Sequence, residues 1–161
     1  MAKEAAYLAA LGRIRSLIEG ETDEIAIMAT VVAELHHELD HFDWTGFYRV
    51  VAPGLLKVGP YQGSHGCLTI PFERGVCGKC AREAATQVVP DVTQVPYHLA
   101  CASSTRSEIV VPVLDRSGRL RAVLDVDSDT PAAFDAVDAR HLEEVCRWLG
   151  QSVLWPTLGR I

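Results

Sequence analysis

The sequence predicts an α+β fold in which a mostly antiparallel central sheet of about six strands is flanked by an N-terminal helix pair and a C-terminal helix. Three observations carry this. Apolar residues recur with a helical period near both ends of the chain; from Trp44 onward they shift to aromatic and β-branched runs; and those runs are joined by short turns. The chain has 161 residues, 48% of them hydrophobic, which is enough to bury a core. No linker, repeat or low-complexity stretch divides it, so a single domain over 1–161 is expected.

In the first helix, Tyr7, Leu11, Ile14 and Ile18 share one face, and Glu19-Gly20-Glu21 ends the pattern. Thr22 is the expected N-cap of a second helix, with Asp23 and Glu24 suited to the positive end of its dipole. Ile25, Met28, Val32, Leu35 and Leu39 form its apolar stripe; His36 and His37, near its end, are expected to face solvent. The run TGFYRVV, the turn Ala52-Pro53-Gly54 and the run LLKVGPY read as a hairpin. A short strand follows at Cys67 to Pro71, and RGVCGKCAREAA reads as a turn into a helix that begins near Cys77. TQVVP is another short strand, and Asp91 to Ala100 is an irregular connection. SEIVVPVL and LRAVLDVD form a second hairpin around Asp115-Arg116-Ser117-Gly118. Asp135 and Asp138 have the spacing of a capping box, and Leu142, Val145, Leu149 and Val153 line the last helix before Trp155-Pro156 stops it.

Charge and composition exclude several classes. A net charge of −6 with no Lys/Arg run argues against nucleic acid and anionic membranes, both of which require clustered cations. No run approaches the ~18 apolar residues of a membrane span. Glu4, Arg13 and Arg15 interrupt any signal-peptide core, so a cytoplasmic location is expected. Cysteines there are more often reactive or metal-binding than structural.

Four of the five cysteines, Cys67, Cys77, Cys80 and Cys101, fall between Gly63 and Pro112. Cys77 and Cys80 make a C-x-x-C, which is ambiguous between a redox pair and half of a metal site. With His98 and Cys101 the spacing becomes C-x2-C-x17-H-x2-C, compatible with structural zinc. The redox reading rests on Cys77. A helix N-terminus and the nearby Arg74, Lys79 and Arg82 would favour its thiolate. Cys146 carries no such constellation and reads as a small core hydrophobe. Glu108, Asp125 and Asp127 interrupt strongly apolar strands, and Asp125 and Asp127, two apart, point to the same side of the sheet. Such a pair suits an ammonium group or a retained proton. Trp44 and Tyr48, four apart on the first strand, also share a face.

Through DWTGFY, GPYQGSHGC, IPFERGVCG, QVVPDV, HLACASSTRSEIVVP and VLDVDS, the chain resembles the free methionine-(R)-sulfoxide reductases, a family of single GAF domains. The resemblance covers nearly the whole chain. It implies thiol-dependent reduction of free methionine sulfoxide to methionine with no cofactor, in a protein that counters oxidative stress. Carried over by position, Cys101 is the nucleophile, Cys67 the resolving cysteine and Cys77 an additional redox partner. Glu108 supplies the proton and also contacts substrate, Asp125 and Asp127 engage its ammonium or oxygen, and Trp44 and Tyr48 wall its methyl group. The implied cycle runs through a sulfenic acid and an intramolecular disulfide, which thioredoxin or a similar reductant reopens. Cys80 departs from the family pattern. Two alternatives remain: a noncatalytic GAF module that binds a small ligand, and a zinc-stabilised module using Cys77, Cys80, His98 and Cys101. The apolar faces of the terminal helices also lead to the expectation of a possible homodimer.

Overall fold

In the computed structural model, which describes residues 2–156, two helices open the chain, α1 (Ala2–Leu17) and α2 (Glu24–Glu38). Tyr7, Ala10, Leu11 and Ile14 of α1 are buried, as is Ile18 just beyond it, and Gly20 turns the chain at φ +79°. The N-cap of α2 is Asp23 rather than Thr22. Its carboxylate accepts from the Ala26 amide at 2.9 Å, because the helix starts one residue later than the threonine requires. The inward stripe is Ile27, Met28, Val31, Val32 and Leu35. Ile25 was expected on it but is 41% exposed, since it lies at the edge of the stripe in the first turn. His37 faces solvent as expected, whereas His36 is half-buried with Nδ1 3.1 Å from Thr45 Oγ1.

The sheet elements follow in the order β1 (Trp44–Ala52), β2 (Leu55–Gln62), β3 (Thr69–Pro71), helix α3 (Gly75–Glu83), β4 (Gln87–Val89), β5 (Ser107–Leu114) and β6 (Leu120–Ser128), and α4 (Ala136–Ser152) closes the fold. The strand order across the sheet is β3-β2-β1-β6-β5-β4, and every neighbouring pair is antiparallel. β3 is shorter than the expected Cys67–Pro71. Both hairpin turns form where the sequence places them: Gly54 takes φ +73°, and Asp115 accepts from the Ser117 amide at 2.8 Å and the Gly118 amide at 2.9 Å.

Strand alternation gives the sheet two buried faces. On one, Phe47, Ile109, Val111, Val113, Ala122, Leu124 and Val126 pack under α1, α2 and α4. On the other, Trp44, Tyr48, Leu56, Val110 and Val123 meet Val76, Cys77, Cys80 and Ala81 of α3. The expected face of α4, Leu142, Val145, Leu149 and Val153, is buried on the first side together with Cys146. Asp135 and Asp138 complete the capping box of α4. Fully buried Asp138 also accepts from Tyr7 Oη at 2.8 Å and Lys3 Nζ at 2.6 Å and lies 2.9 Å from His41 Nε2, which ties α1 and the α2–β1 connection to α4. The apolar faces of α1 and α4, on which the expectation of a dimer rested, are thus buried inside this chain, leaving Leu8 and Leu17 exposed on α1.

Candidate active site

Antiparallel register sets the acids beside one another. Trp44 on β1 pairs with Asp127 on β6, which pairs with Glu108 on β5; one step along, Gly46 pairs with Asp125, which pairs with Val110. Successive side chains alternate, so Trp44, Asp127, Glu108 and Asp125 share the α3 side of the sheet. Helix α3 lowers Cys77, its third residue, onto this row. Cys77 Sγ and oxygens of Glu108 and Asp125 lie within 4.8 Å of one another, all buried.

The wall opposite comes from the irregular connection. Cys101 is disulfide-bonded to Cys67 with a Cα–Cα separation of 5.2 Å, and both residues are half-buried. Cys77, Cys80 and Cys146 remain free and buried. A cavity of about 20 Å³, room for roughly one water, is lined by Cys77, His98, Cys101, Glu108, Asp125 and Asp127, among others. Next to it, a pocket of about 200 Å³ shares Asp127 and Thr105 and is bordered by Trp44, Ser64 and Ala102.

Burial disfavours charge on this floor. Glu108 is pushed up to about 7 by burial and by Asp127, against the pull of the His98 imidazole. Asp125 is raised well above the usual carboxylate range by burial and by Glu108, and Asp127 by burial and by Asp125, Asp129 and Asp43. Glu108 Oε2 and Asp125 Oδ1 are buried with no hydrogen-bond partner; the nearest histidine nitrogen, His98 Nε2, is 3.4 Å from Glu108 Oε2 and poorly aligned. A proton held between the two carboxyls satisfies one of them, and a donor entering the cavity would satisfy the other.

The same environment corrects the electrostatic expectation for Cys77. Its thiol is pushed far above the ordinary range by burial, then by Asp125, Glu108 and Asp127. The helix dipole loses to burial and three acidic side chains, and two of the three expected cations point elsewhere: Lys79 donates to Tyr97 Oη at 3.3 Å and Arg82 to the Phe72 carbonyl. The alternative zinc set of Cys77, Cys80, His98 and Cys101 does not assemble either. Cys101 is held in its disulfide, and among the described residues the group with metal-ligand proximity is Cys77, Glu108 and Asp125, without Cys80 or His98.

Aromatic residues close the outer side. The Trp44 and Tyr48 rings stack with centroids 5.8 Å apart, and Tyr61 stacks on Trp44 at 5.4 Å. Gly46 makes this possible, since a Cβ there would lie 2.4 Å from Trp44 Cη2. Trp44 Nε1 donates to the Ser64 carbonyl at 2.9 Å, pinning the loop that leads to Cys67. The sequence reading missed Tyr61, although it lies opposite Gly46 in the first hairpin.

A GAF domain model matches residues 23–153. The chain belongs to the GAF family. As a GAF protein it is 41% identical to GAF domain-containing protein A of Dictyostelium discoideum, over 91% of this chain and 92% of that one. It is 35% identical to the free methionine-R-sulfoxide reductase of Escherichia coli, over 81% of this chain and 78% of that one. The crystal structure of free methionine-R-sulfoxide reductase from Neisseria meningitidis in complex with its substrate superposes with a TM-score of 0.87 at 42% identity, covering 93% of this GAF chain and 89% of that chain. The α+β prediction and the resemblance drawn from sequence both hold.

Proposed function

We propose that this GAF protein reduces free L-methionine (R)-sulfoxide to methionine, with Cys101 as nucleophile, Cys67 as resolving thiol and Glu108 as proton donor. The observation that carries the reading is a disulfide on the wall of a cavity whose floor presents unpartnered oxygens of Glu108 and Asp125. Cys101 attacks the sulfoxide sulfur while Glu108 protonates its oxygen, which departs as water; a water molecule then cleaves the resulting bond between Cys101 and the methionine sulfonium, releasing methionine and leaving Cys101 as a sulfenic acid. Cys67 then displaces that oxygen as water, so two thiols supply the two electrons and end as the disulfide. A dithiol reductant such as thioredoxin reopens the bridge by exchange, in keeping with a cytoplasmic setting. The choice of the R epimer is drawn from the names of the relatives.

The residues around the cavity supply binding as well. Asp125 and Asp127 accept the substrate ammonium in a site where an unpaired acid is costly, and Trp44 and Tyr48 flank the S-methyl group. A cavity of about 20 Å³ is too small for this substrate. Opening the disulfide therefore merges it with the neighbouring pocket, and the disulfide form is the closed product state. Cys77 then stands as a reserve thiol across the cavity from the disulfide.

The test is stoichiometry without added reductant. Fully reduced protein is mixed with free methionine (R)-sulfoxide, and methionine release is compared with the thiols lost, mapped by mass spectrometry. One methionine per Cys67–Cys101 bridge supports the reading. Intact thiols with no methionine would overturn it and leave the noncatalytic ligand-binding module.

A further inference from the structure

The two-cysteine cycle leaves one thiol at the cavity unused. Cys77 stays outside the disulfide, yet its sulfur meets oxygens of Glu108 and Asp125 within 4.8 Å. Glu108 Oε2 and Asp125 Oδ1 are buried without a partner, and both residues line a cavity of roughly one-atom size. Among the described residues, neither acid has a Lys or Arg ion-pair partner, and His98 Nε2 stands 3.4 Å from Glu108 Oε2. We propose that Cys77, Glu108 and Asp125 form a three-ligand site for a borderline-soft divalent cation of the zinc class, the fourth position open to water.

The donor set decides the metal. Mixed thiolate and carboxylate ligands suit zinc or cobalt, whereas magnesium and calcium take oxygen alone. Tetrahedral zinc, with bonds of about 2.3 Å to sulfur and 2.0 Å to oxygen or nitrogen, sets neighbouring ligand atoms about 3.3–3.6 Å apart. The present separations close to that range with side-chain movements on the order of 1 Å. The protons held by Cys77, Asp125 and Glu108 pass to solvent when the metal binds, and no oxidant or reductant is consumed. The three proposed ligands are available with the Cys67–Cys101 bridge closed, so the site exists in the disulfide form. Because the cation occupies the oxygens assigned to substrate, metal and sulfoxide exclude each other. That clause alone rests on the reductase reading.

The experiment is a titration of chelator-treated, disulfide-intact full chain with Co²⁺, read by the thiolate-to-cobalt charge-transfer band. The expected result is saturation at one equivalent, displacement by zinc and indifference to excess magnesium. Cys77→Ser removes the band and Asp125→Asn weakens Co²⁺ binding by at least about tenfold, whereas Cys80→Ser keeps the band. Circular dichroism verifies that each variant is folded, and the two ligand variants test the site independently. A folded wild-type chain with no band, a band that survives Cys77→Ser, or loss of the band in folded Cys80→Ser overturns the proposal. The readout needs no substrate, so it stands or falls separately from the reductase reading.

Discussion

The two faces of the sheet are built from the same strands and obey different rules. On β5, Ile109, Val111 and Val113 enter the helix-covered core, while the intervening Glu108 and Val110 face α3. On β6, Ala122, Leu124 and Val126 alternate in the same way with Val123, Asp125 and Asp127. The helix-covered face needs nothing from outside. The α3 face buries acids whose ionised forms are disfavoured, and it leaves oxygens without partners. The proposed chemistry thus sits where the packing rule is broken, at the expense of stability.

The largest effect that would break this contrast is expected from Cys101→Ser, which should lower methionine formation by about 10⁴-fold or more while circular dichroism stays unchanged. Activity within tenfold of the parent would remove Cys101 from the proposed role. Glu108→Gln comes next. Its turnover should fall by roughly 10²–10⁴-fold, and its melting temperature at pH 7 should rise. The sign follows from the raised folded-state pKa: above the unfolded pKa, ionisation of Glu108 disfavours the fold, and glutamine removes that penalty. Leu124→Ala on the opposite face should do the reverse, losing about 2–5 kcal/mol in urea melts with kcat unaltered below the transition.

The smallest effect concerns acid stability. Burial alone would raise the Asp138 carboxyl, but hydrogen bonds from His41, Lys3, the Asp135 amide and Tyr7 outweigh it and hold the group below its usual 3.8. A depressed pKa contributes stability above the unfolded value and loses it as pH falls through the folded one. Asp138→Asn should therefore be less stable than the parent at pH 7, and the two should converge as the pH drops below about 4, as measured by urea midpoints across pH.

Legibility in the sequence tracks how local each cause is. The hairpin turns, the Asp135/Asp138 box and the shared face of Asp125 and Asp127 depend on residues a few positions apart, and each forms as read. The Cys67–Cys101 pairing spans 34 residues, and only the family resemblance pointed to it. Cys77 shows the limit best. Its sequence neighbours are cations, but its spatial neighbours are Asp125, Glu108 and Asp127, delivered by two strands that the local pattern does not connect to α3. Tyr61 was missed because strand register decides which aromatic faces Trp44. The Asp23 cap shows the same dependence on a smaller scale, since one residue of helix phase decides which side chain reaches the amide.

The bridge between Cys67 and Cys101 also makes the molecule's durability depend on its redox state. Closing a loop over a sequence separation of 34 removes chain entropy from the unfolded ensemble, an effect of about 4 kcal/mol in the loop-closure model. For a chain of this size that corresponds to a melting difference of roughly 10 °C between bridged and open forms. Heat and proteases would therefore select for the bridged form over the open one, and a simple thermal scan would report which of the two a sample contains.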